Sequence, residues 1–378
     1  MSAERRRLPA PVLPQRVHII GSGLIGTSLA MALVRAGVVV SVADASPTNE
    51  ALASDLSGAR LGAGDPVDLV VVATPPDVTA QVITAALAEW PNAVVTDVAS
   101  VKEIVQAELV ATGVQGLERY VGGHPMAGRE RSGAIAARID LFEGRPWVVT
   151  AGEASSDEAV ALVRGIAEAT GAVVRLLTPA EHDAAVAAVS HVPQVAASLV
   201  AARLADLSED AVGLSGTGIR DVTRIAASDP VLWTQILTGN ARAVAEVLRG
   251  LADDLGQVVA ALDDLATGTS ADGRIEAPGA RAVLATAIAK GNTGHARIPG
   301  KHGAAPAAYS IVTVLIPDQP GQLGRLFQDV GDAGINLEEL NLEHNLGQPF
   351  GQLELSVLPA VAGELAQWLT GRGWRIHA

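Results

Sequence analysis

The chain has 378 residues, of which 49% are apolar and 18% charged, with 27 Lys and Arg against 41 Asp and Glu for a formal net charge of −14. The apolar content excludes a disordered chain, and the acidic balance argues against nucleic acid or an anionic membrane as the main partner. The absence of cysteine excludes disulfides, zinc–thiolate sites and a thiol nucleophile. It also fits the reducing cytoplasm, where we expect the protein, and the length predicts two or three domains.

Two segments could be taken for a secretory signal or a membrane span, but their composition argues against both. Residues 1–15 carry three consecutive arginines and several prolines without an apolar run, so we interpret them as a flexible tail rather than a secretory signal. Residues 184–205 are the most apolar long stretch. Because they include Ser190, His191 and Arg203, and a membrane span needs about 20 nearly unbroken apolar residues, we expect a helix buried on all sides.

Residues 16–178 alternate short β-rich runs with helical stretches. This alternation predicts an α/β domain of the doubly wound Rossmann type, with a mostly parallel sheet covered by helices. The strands are predicted at 16–20, 38–44, 69–74, 94–98, 120–123, 147–150 and 172–177, and the helices at 24–36 and 157–170.

Beyond residue 178 the pattern changes twice. Residues 179–290 predict only helices, at 179–203, 233–265 and 281–290, and their apolar surfaces predict helix contacts between subunits in a homodimer. Residues 291–308 are rich in Gly, Ala and Pro and predict an irregular linker. Residues 309–378 then follow the order β-α-β-β-α-β, which is the split βαβ pattern. Its elements are predicted at 309–316, 323–333, 335–342, 351–358, 363–370 and 374–377.

The first strand-to-helix turn holds the glycine pattern Gly21-Ser22-Gly23-Leu24-Ile25-Gly26. Between a strand and a helix, these glycines allow a tight turn, close approach of a pyrophosphate and close packing of helix on strand. The anion then binds free N–H groups at the start of the helix. Asp44 ends the next predicted strand, where it would accept from a ribose 2′-hydroxyl and repel a 2′-phosphate, so NAD is favoured over NADP. A tight turn without a ligand is the alternative.

Three further segments, 73–76, 96–102 and 122–128, follow predicted strands and should face the same crevice. His124 stands between two glycines and Pro125. Held in this way, it can accept a hydroxyl proton while a hydride leaves the same carbon, and activity should rise with pH as it loses its own proton. A structural loop histidine is the alternative. Ser100 is either a helix cap or a site residue.

These segments together resemble the prephenate/arogenate dehydrogenases of tyrosine biosynthesis. The resemblance extends over almost all of residues 16–303, in the segments 21–28, 68–75, 97–102, 124–128, 181–193, 218–230 and 298–303. It implies NAD-dependent oxidative decarboxylation of prephenate to 4-hydroxyphenylpyruvate without a metal. It also implies that His124 takes the proton of the C4 hydroxyl, that Ser100 orients His124, and that Thr74 and Pro75 belong to the cofactor site.

The resemblance further implies substrate-binding residues in and near the helical domain. Arg224 would bind a substrate carboxylate through its guanidinium. Asp221, one helical turn away, would orient it, unless the two form only a surface pair. Arg220 is a second basic candidate.

Four more positions match the family's site. His182 and Ser190 lie eight residues apart, near two helical turns, and are predicted to face one crevice. Glu130 and its neighbour Arg131 resemble a gating segment, with a solvated charge pair as the alternative. Gln194 stands where many relatives have a second histidine, and Ala99 replaces a family glycine. Since a neutral Gln194 suits a keto group better than an ammonium, we favour prephenate over arogenate.

Residues 309–378 resemble an ACT domain, the small module that binds amino acids in metabolic enzymes. The resemblance implies an aromatic amino-acid effector, bound near Asp318, Gly321, Leu323 and Asn336. An ACT domain that only helps assembly is the alternative. For the whole chain, the rival functions are an arogenate or dual-specificity dehydrogenase, a catalytically silent amino-acid-responsive regulator and a generic hydroxy-acid dehydrogenase.

Overall fold

The computed structural model describes residues 10–64, 66–128, 133–268, 277–299, 309–344 and 349–377. The chain divides into two compact units, Met1–Asp253 and Asp254–Ala378.

An eight-stranded sheet forms the centre of the first unit. Its strands are β1 (Arg16–Ile20), β2 (Val39–Ala43), β3 (Arg60–Leu61), β4 (Leu69–Val72), β5 (Val94–Asp97), β6 (Tyr120–Pro125), β7 (Pro146–Ala151) and β8 (Val173–Leu176). The order is β3-β2-β1-β4-β5-β6-β7-β8, and only the β6–β7 pair is antiparallel. The predicted mostly parallel sheet is therefore confirmed. The strand order reverses between β1 and β4, and ligands of such sheets bind at the carboxyl ends of the strands at this point.

Helices cover both faces of this sheet. They are α1 (Leu24–Arg35), α2 (Pro47–Ser57), α3 (Pro76–Glu89), α4 (Glu103–Thr112) and α5 (Asp157–Ala169). Because they shield both faces, β4 and β5 are buried along their whole length. Helices α2, α3 and α4 are not among the elements predicted from the sequence. The start of α2 carries a recognisable signal, since the Ser46 side chain caps it and Pro47 opens it.

The predicted flexible tail is wrong for its last residues. Val12 donates a backbone hydrogen bond of 3.0 Å to Ala161 O on α5. Gln15 N donates to the Asp68 carboxylate over 2.9 Å. Gly165 makes room for this segment, because a Cβ there would lie 1.9 Å from Val12 O. Residues 1–9 lie outside the described part of the chain.

The rest of the first unit is helical, as predicted. The helices are α6 (Pro179–Val186), α7 (Val192–Leu204), α8 (Glu209–Val212), α9 (Thr217–Thr223) and α10 (Pro230–Gly239), followed by α11 (Ala241–Thr267), which begins in this unit and extends into the second. The predicted single helix over 233–265 is in fact two, separated at Asn240, whose buried side chain bonds to groups on other elements. A π-helical turn, Ala187–His191, joins α6 to α7.

The helical segment Pro179–Leu204 is, among the described residues, the one long and apolar enough to cross a membrane by length and composition. Core helices pass the same test, and here His182 and Asp183 are fully buried against the rest of the unit. The prediction that it is buried on all sides is wrong, because Val189 is 69% and Leu199 63% exposed. One face packs inside the chain and the other presents apolar side chains.

The second unit contains α12 (Ala280–His295), followed by β9 (Ser310–Pro317), α13 (Gln322–Asp332), β10 (Glu339–His344), β11 (Phe350–Val357), α14 (Pro359–Gly371) and β12 (Arg375–His377). Its four strands form an antiparallel sheet in the order β10-β11-β9-β12. The β-α-β-β-α-β order matches the sequence prediction.

Two predicted boundaries in this unit are wrong. Helix α12 runs to His295, so the irregular segment does not begin at residue 291. Strand β10 begins at Glu339 rather than 335. Ile335 and Leu337 pack on the core of the unit ahead of the strand, so their apolar character reflects burial rather than membership of the sheet.

Candidate active site

A cleft of about 860 Å³ lies in the first unit at the carboxyl ends of the central strands. Thr74, Ser100 and His124 line it from the loops and strand ends of the sheet. Ser190, Gln194 and Arg224 line it from the helical part of the same unit. The volume is within the range of small-molecule and cofactor sites.

The glycine turn at one end of the cleft has the geometry of a pyrophosphate cradle. Gly21 has φ +109°, and a Cβ there would lie 2.4 Å from Ala73 O. A Cβ at Gly26 would lie 1.9 Å from Gly21 O, so both positions require glycine to let helix and strand approach. By contrast, a Cβ at Gly23 would meet no described atom within 4 Å. The space beside Gly23, at the start of α1, is therefore open to an anion.

The position of Asp44 is compatible with the predicted contact to a ribose hydroxyl. Its carboxylate accepts backbone hydrogen bonds from Ser22 N at 2.7 Å and Ser46 N at 2.8 Å, which fixes it beside the glycine turn. Each carboxylate oxygen keeps a lone pair for a further donor. Ser22 Oγ is buried and has no hydrogen-bond partner in the described part of the chain. Leu24, Ile25, Thr74 and Pro75 line the cleft, so the residues present fit a bound dinucleotide.

A buried charged cluster supports the loop that carries Ser100. The Lys102 ammonium pairs with the Asp97 carboxylate, and both side chains are buried. Tyr120 OH donates to the other Asp97 oxygen, Oδ2, over 2.8 Å. Ala99 N donates over 2.8 Å to Oδ1, the oxygen that pairs with Lys102. Burial lowers the pKa of Lys102, opposed by Asp97 and Asp183, and burial together with Asp97 raises the pKa of Tyr120 well above its usual value. The loop is thus wrapped around one carboxylate.

His124 lies at the end of β6 and lines the cleft, and a buried histidine contacts its ring on the side away from the cleft. Its Nδ1 lies 2.7 Å from Nε2 of His182. His182 Nδ1 lies 2.7 Å from the carboxylate of Asp183. In the structure, His124 is therefore oriented by a hydrogen bond with His182. Ser100 lines the same cleft, and its orienting role remains a prediction.

His191 is a cleft residue that the sequence analysis did not select. It lines the cleft, and its Nδ1 lies 3.2 Å from the Asn240 side-chain amide, which also donates to Asp183 O over 2.8 Å. Because an amide NH₂ donates, His191 Nδ1 accepts, and the proton of the neutral ring is on Nε2. Burial is the main cause that lowers the pKa of His191 to about 4, which keeps it uncharged at neutral pH.

The structure brings most predicted substrate residues together but not all. Ser190, Gln194 and Arg224 line the cleft, as predicted. The predicted shared crevice of His182 and Ser190 is wrong: His182 lies fully buried behind His124. The π-helical turn changes the angular relation between the two positions, because it adds a residue to one helical turn.

The remaining candidates have different positions. Arg220 and Asp221 are exposed on α9 and are not among the described residues that line the cleft. Arg224 follows the end of α9, in a short 3₁₀ turn, rather than lying on the same helix. Glu130 and Arg131 lie outside the described residues.

The predicted effector residues are on the second unit. Asp318 and Leu323 line a small cavity at the turn between β9 and α13. Gly321 opens α13 with φ +86°, a conformation that favours glycine. Asn336 donates to Glu338 over 3.1 Å and is not among the described lining residues of that cavity.

The pH dependence of activity should reflect the burial of His124. Burial is the largest cause that holds the pKa of His124 well below 6.5, and His182, Lys102 and His191 add to the effect. A base acts in its unprotonated form, above its pKa, so activity should persist from neutral pH through 6.5 and fall only in more acidic solution. The check is kcat/KM between about pH 5 and pH 8, with folding monitored in parallel. A half-maximal point at or above 6.5 would contradict this assignment.

Comparison with known proteins identifies the family. Residues 29–176 match the prephenate dehydrogenase nucleotide-binding domain, and residues 178–269 match the prephenate dehydrogenase dimerization domain, which supports a homodimer. The chain is 37% identical over 361 residues to a probable prephenate dehydrogenase, NovF, of Streptomyces niveus, covering 94% of this chain and 98% of the relative.

Two solved structures are similar to this one. Prephenate dehydrogenase from A. aeolicus, in complex with hydroxyphenyl propionate and NAD⁺, has a TM-score of 0.63 at 27% identity, covering 74% of this chain and 98% of that one. Synechocystis arogenate dehydrogenase has a TM-score of 0.60 at 26% identity, covering 74% and 99%. The present chain therefore belongs to the prephenate dehydrogenase family and is an NAD-dependent dehydrogenase.

Proposed function

We propose that the cleft converts prephenate to 4-hydroxyphenylpyruvate and CO₂, as a step towards tyrosine. The observation that carries the proposal is the presence of a neutral His124 and the cationic Arg224 on the walls of one cleft next to a dinucleotide cradle. Bound NAD⁺ supplies a hydride acceptor. The chain's own groups then need only remove a proton, hold the substrate and exclude water.

His124 is proposed as the base. The substrate carries a hydroxyl and a hydrogen on C4, and a ring carboxylate opposite them. As the C4–H bond breaks and its electron pair leaves as hydride, the hydroxyl proton passes to His124 and the C4–O bond becomes a carbonyl. The C1–carboxylate bond then breaks and CO₂ leaves, and the electron pair of that bond moves through the ring to the C4 oxygen. The ring becomes aromatic as this oxygen takes the proton back from His124. The aromatisation drives this loss, so no further acid is required.

Arg224 is proposed to bind a substrate carboxylate. The chain carries a net charge of −14, so a dianionic substrate needs a local cation. A guanidinium fork can make two parallel hydrogen bonds to a carboxylate. His191, with its Nε2 proton, adds a neutral donor to the same cleft.

Replacing Arg224 should weaken substrate binding more than it slows chemistry. A charged hydrogen bond of this type contributes about 1.5–3 kcal/mol, so Arg224→Ala should raise KM for prephenate about 10- to 100-fold. Arg220→Ala is the matched control, since Arg220 is an exposed arginine four residues earlier. Steady-state kinetics on both variants check this. Equal KM values for the two variants would remove Arg224 from the substrate site.

We favour prephenate over arogenate as the substrate because the described lining of the cleft has no carboxylate. Arogenate carries an ammonium where prephenate carries a keto group, and an ammonium calls for a carboxylate partner. None of the described lining residues is Asp or Glu, and the buried Gln194 supplies a neutral amide instead. Initial rates with both substrates test the proposal through NADH formation. Faster turnover of arogenate would select that alternative, and no turnover of either by the folded protein would favour a regulator.

We propose that residues 309–378, within the second unit, form an ACT domain that binds an aromatic amino acid. Its βαββαβ order, and the cavity with Asp318 and Leu323 at the β9–α13 turn, support this. Binding would couple to the active site by about 1–3 kcal/mol. Calorimetric titration of the full chain with tyrosine, and rates with and without it, provide the test. Absence of binding would leave the module with an assembly role.

The cytoplasmic location, and domain limits of 16–178 for nucleotide binding and 309–378 for the last module, are part of the same proposal. The family matches to residues 29–176 and 178–269 support the first of these limits.

A further inference from the structure

Three side chains form a line that leads from the protein interior to the cleft. Asp183 and His182 are both fully buried, and His124 is the member that reaches the cleft. The Asp183–His182 and His182–His124 contacts are each 2.7 Å, within hydrogen-bond distance. Neither Asp183 nor His182 is among the described residues that line the cleft, so they act on substrate only through His124.

The direction of these hydrogen bonds follows from Asp183. Its two carboxylate oxygens accept backbone hydrogen bonds from Lys102 N and Glu103 N, each 2.9 Å long. These donors are at the start of α4, where unpaired N–H groups favour a negative charge. Asp183 is thus fixed as an acceptor, and His182 Nδ1 must carry the proton that it donates to Asp183.

The tautomer of His124 follows from that of His182. A neutral His182 with its proton on Nδ1 has only a lone pair on Nε2, so it accepts there. His124 Nδ1 must therefore donate, which leaves the lone pair of the neutral ring on Nε2. The opposite direction would put a proton on Nε2 of His124, and that ring could not accept the hydroxyl proton.

We infer that Asp183 and His182 are positioning residues that hold His124 in the tautomer with an unprotonated Nε2. The inference rests on the proposed role of His124 as the base and names what makes it competent. It accounts for the full burial of the two residues, and for the hydrogen bond from Asn240 that fixes the backbone carbonyl of Asp183.

Charged and titratable groups lie around this line of side chains. Lys102 lies in front of α4 and pairs with Asp97, and His191 follows on the π-helical turn. Arg224 lines the cleft beyond His124.

The first test reads the tautomer directly and needs no variant for its main result. Imidazole ¹⁵N spectra of the histidine-labelled protein distinguish protonated from unprotonated ring nitrogens, and His124→Asn assigns the His124 signals. We expect a proton on Nδ1 and none on Nε2 of His124 at neutral pH. A proton on Nε2 would overturn the inference, whatever the variant kinetics show.

The second test separates tautomer control from simple packing. In His182→Asn, the shorter amide can still reach Asp183 but offers His124 no acceptor, so kcat should fall about 10- to 100-fold with KM and NAD⁺ affinity unchanged. In His182→Gln, the longer amide oxygen can accept from His124 Nδ1, and most of kcat should return. His18→Asn is the control, because His18 is another buried histidine, bonded over 2.9 Å to Ser41.

The outcomes are distinguishable. If His182→Asn loses no more kcat than His18→Asn, or if His182→Gln is as slow as His182→Asn, the positioning role is wrong. If His124→Asn itself retains activity, the proposed base is wrong. The tautomer measurement on the unaltered protein stays decisive if a His182 variant fails to fold.

Discussion

His124→Asn should lower kcat by about 10²–10⁴-fold, the contribution usual for a positioned general base. The asparagine amide can still occupy the site and hydrogen-bond, but it cannot take a proton from the C4 hydroxyl. Because the loss falls on the transition state, KM for prephenate should change little. Rates of NADH formation measure the loss, and calorimetric titration with NAD⁺ verifies that the cradle is intact.

A matched control excludes a general effect of losing an imidazole. His295, exposed on α12, can be replaced by Asn in the same background. It should leave kcat unchanged. A His124→Asn enzyme that keeps its kcat but shows a large increase in KM would reassign His124 from proton transfer to substrate binding.

Of the substitutions proposed, Asp97→Asn should cause the largest decrease in the free energy of unfolding. Asp97 is fully buried and pairs with the buried Lys102 ammonium. Removal of one partner of such a pair leaves a buried charge without compensation and destabilises a protein by about 3–5 kcal/mol. Since burial already lowers the pKa of Lys102, part of the loss will be recovered as Lys102 releases its proton. Denaturant unfolding of the variant measures the free energy of unfolding.

Two further variants make this test specific. Asp97→Asn combined with Lys102→Met removes both charges and should recover much of the loss, which a double-mutant cycle quantifies. Asp140→Asn breaks the exposed Arg138–Asp140 pair and should leave stability unchanged within error. If Asp97→Asn is as stable as Asp140→Asn, the buried pair does not stabilise the fold.

The cofactor end of the site could be predicted from sequence because its signals are local. The glycine pattern, the strand before it and Asp44 lie within one β-α-β segment, and each has a direct steric or electrostatic reason. The structure places a positive φ at Gly21 and a 1.9 Å clash for any Cβ at Gly26. The alternating elements of residues 16–178 follow from the same local periodicity.

The support behind His124 could not be predicted in the same way. Asp183, Lys102 and Asn240 meet through contacts between residues distant in sequence, such as the 2.9 Å hydrogen bond from Lys102 N to Asp183. The π-helical turn at Ala187–His191 also has no sequence signature that ordinary helical spacing would reveal. The sequence therefore predicted His182 in one crevice with Ser190, whereas the structure places it against His124 and outside the cleft lining.

At the substrate end of the site, the sequence predicted some residues correctly as cleft-lining and others not. Arg224 and Gln194 line the cleft as the family resemblance implied, whereas Asp221 does not. The predicted Asp221–Arg224 relation assumed one continuous helix. Helix α9 ends at Thr223, and the 3₁₀ turn that follows gives Arg224 a different direction from the helix before it.

The most direct measurement is a crystal structure of the chain with NAD⁺ and hydroxyphenyl propionate, which carries the phenol and a carboxylate of the product type. We predict that the phenol oxygen lies about 2.6–3.2 Å from His124 Nε2, with the carboxylate held by the Arg224 guanidinium. A phenol oxygen bound elsewhere, with His124 turned away from both ligand and nicotinamide, would contradict the account.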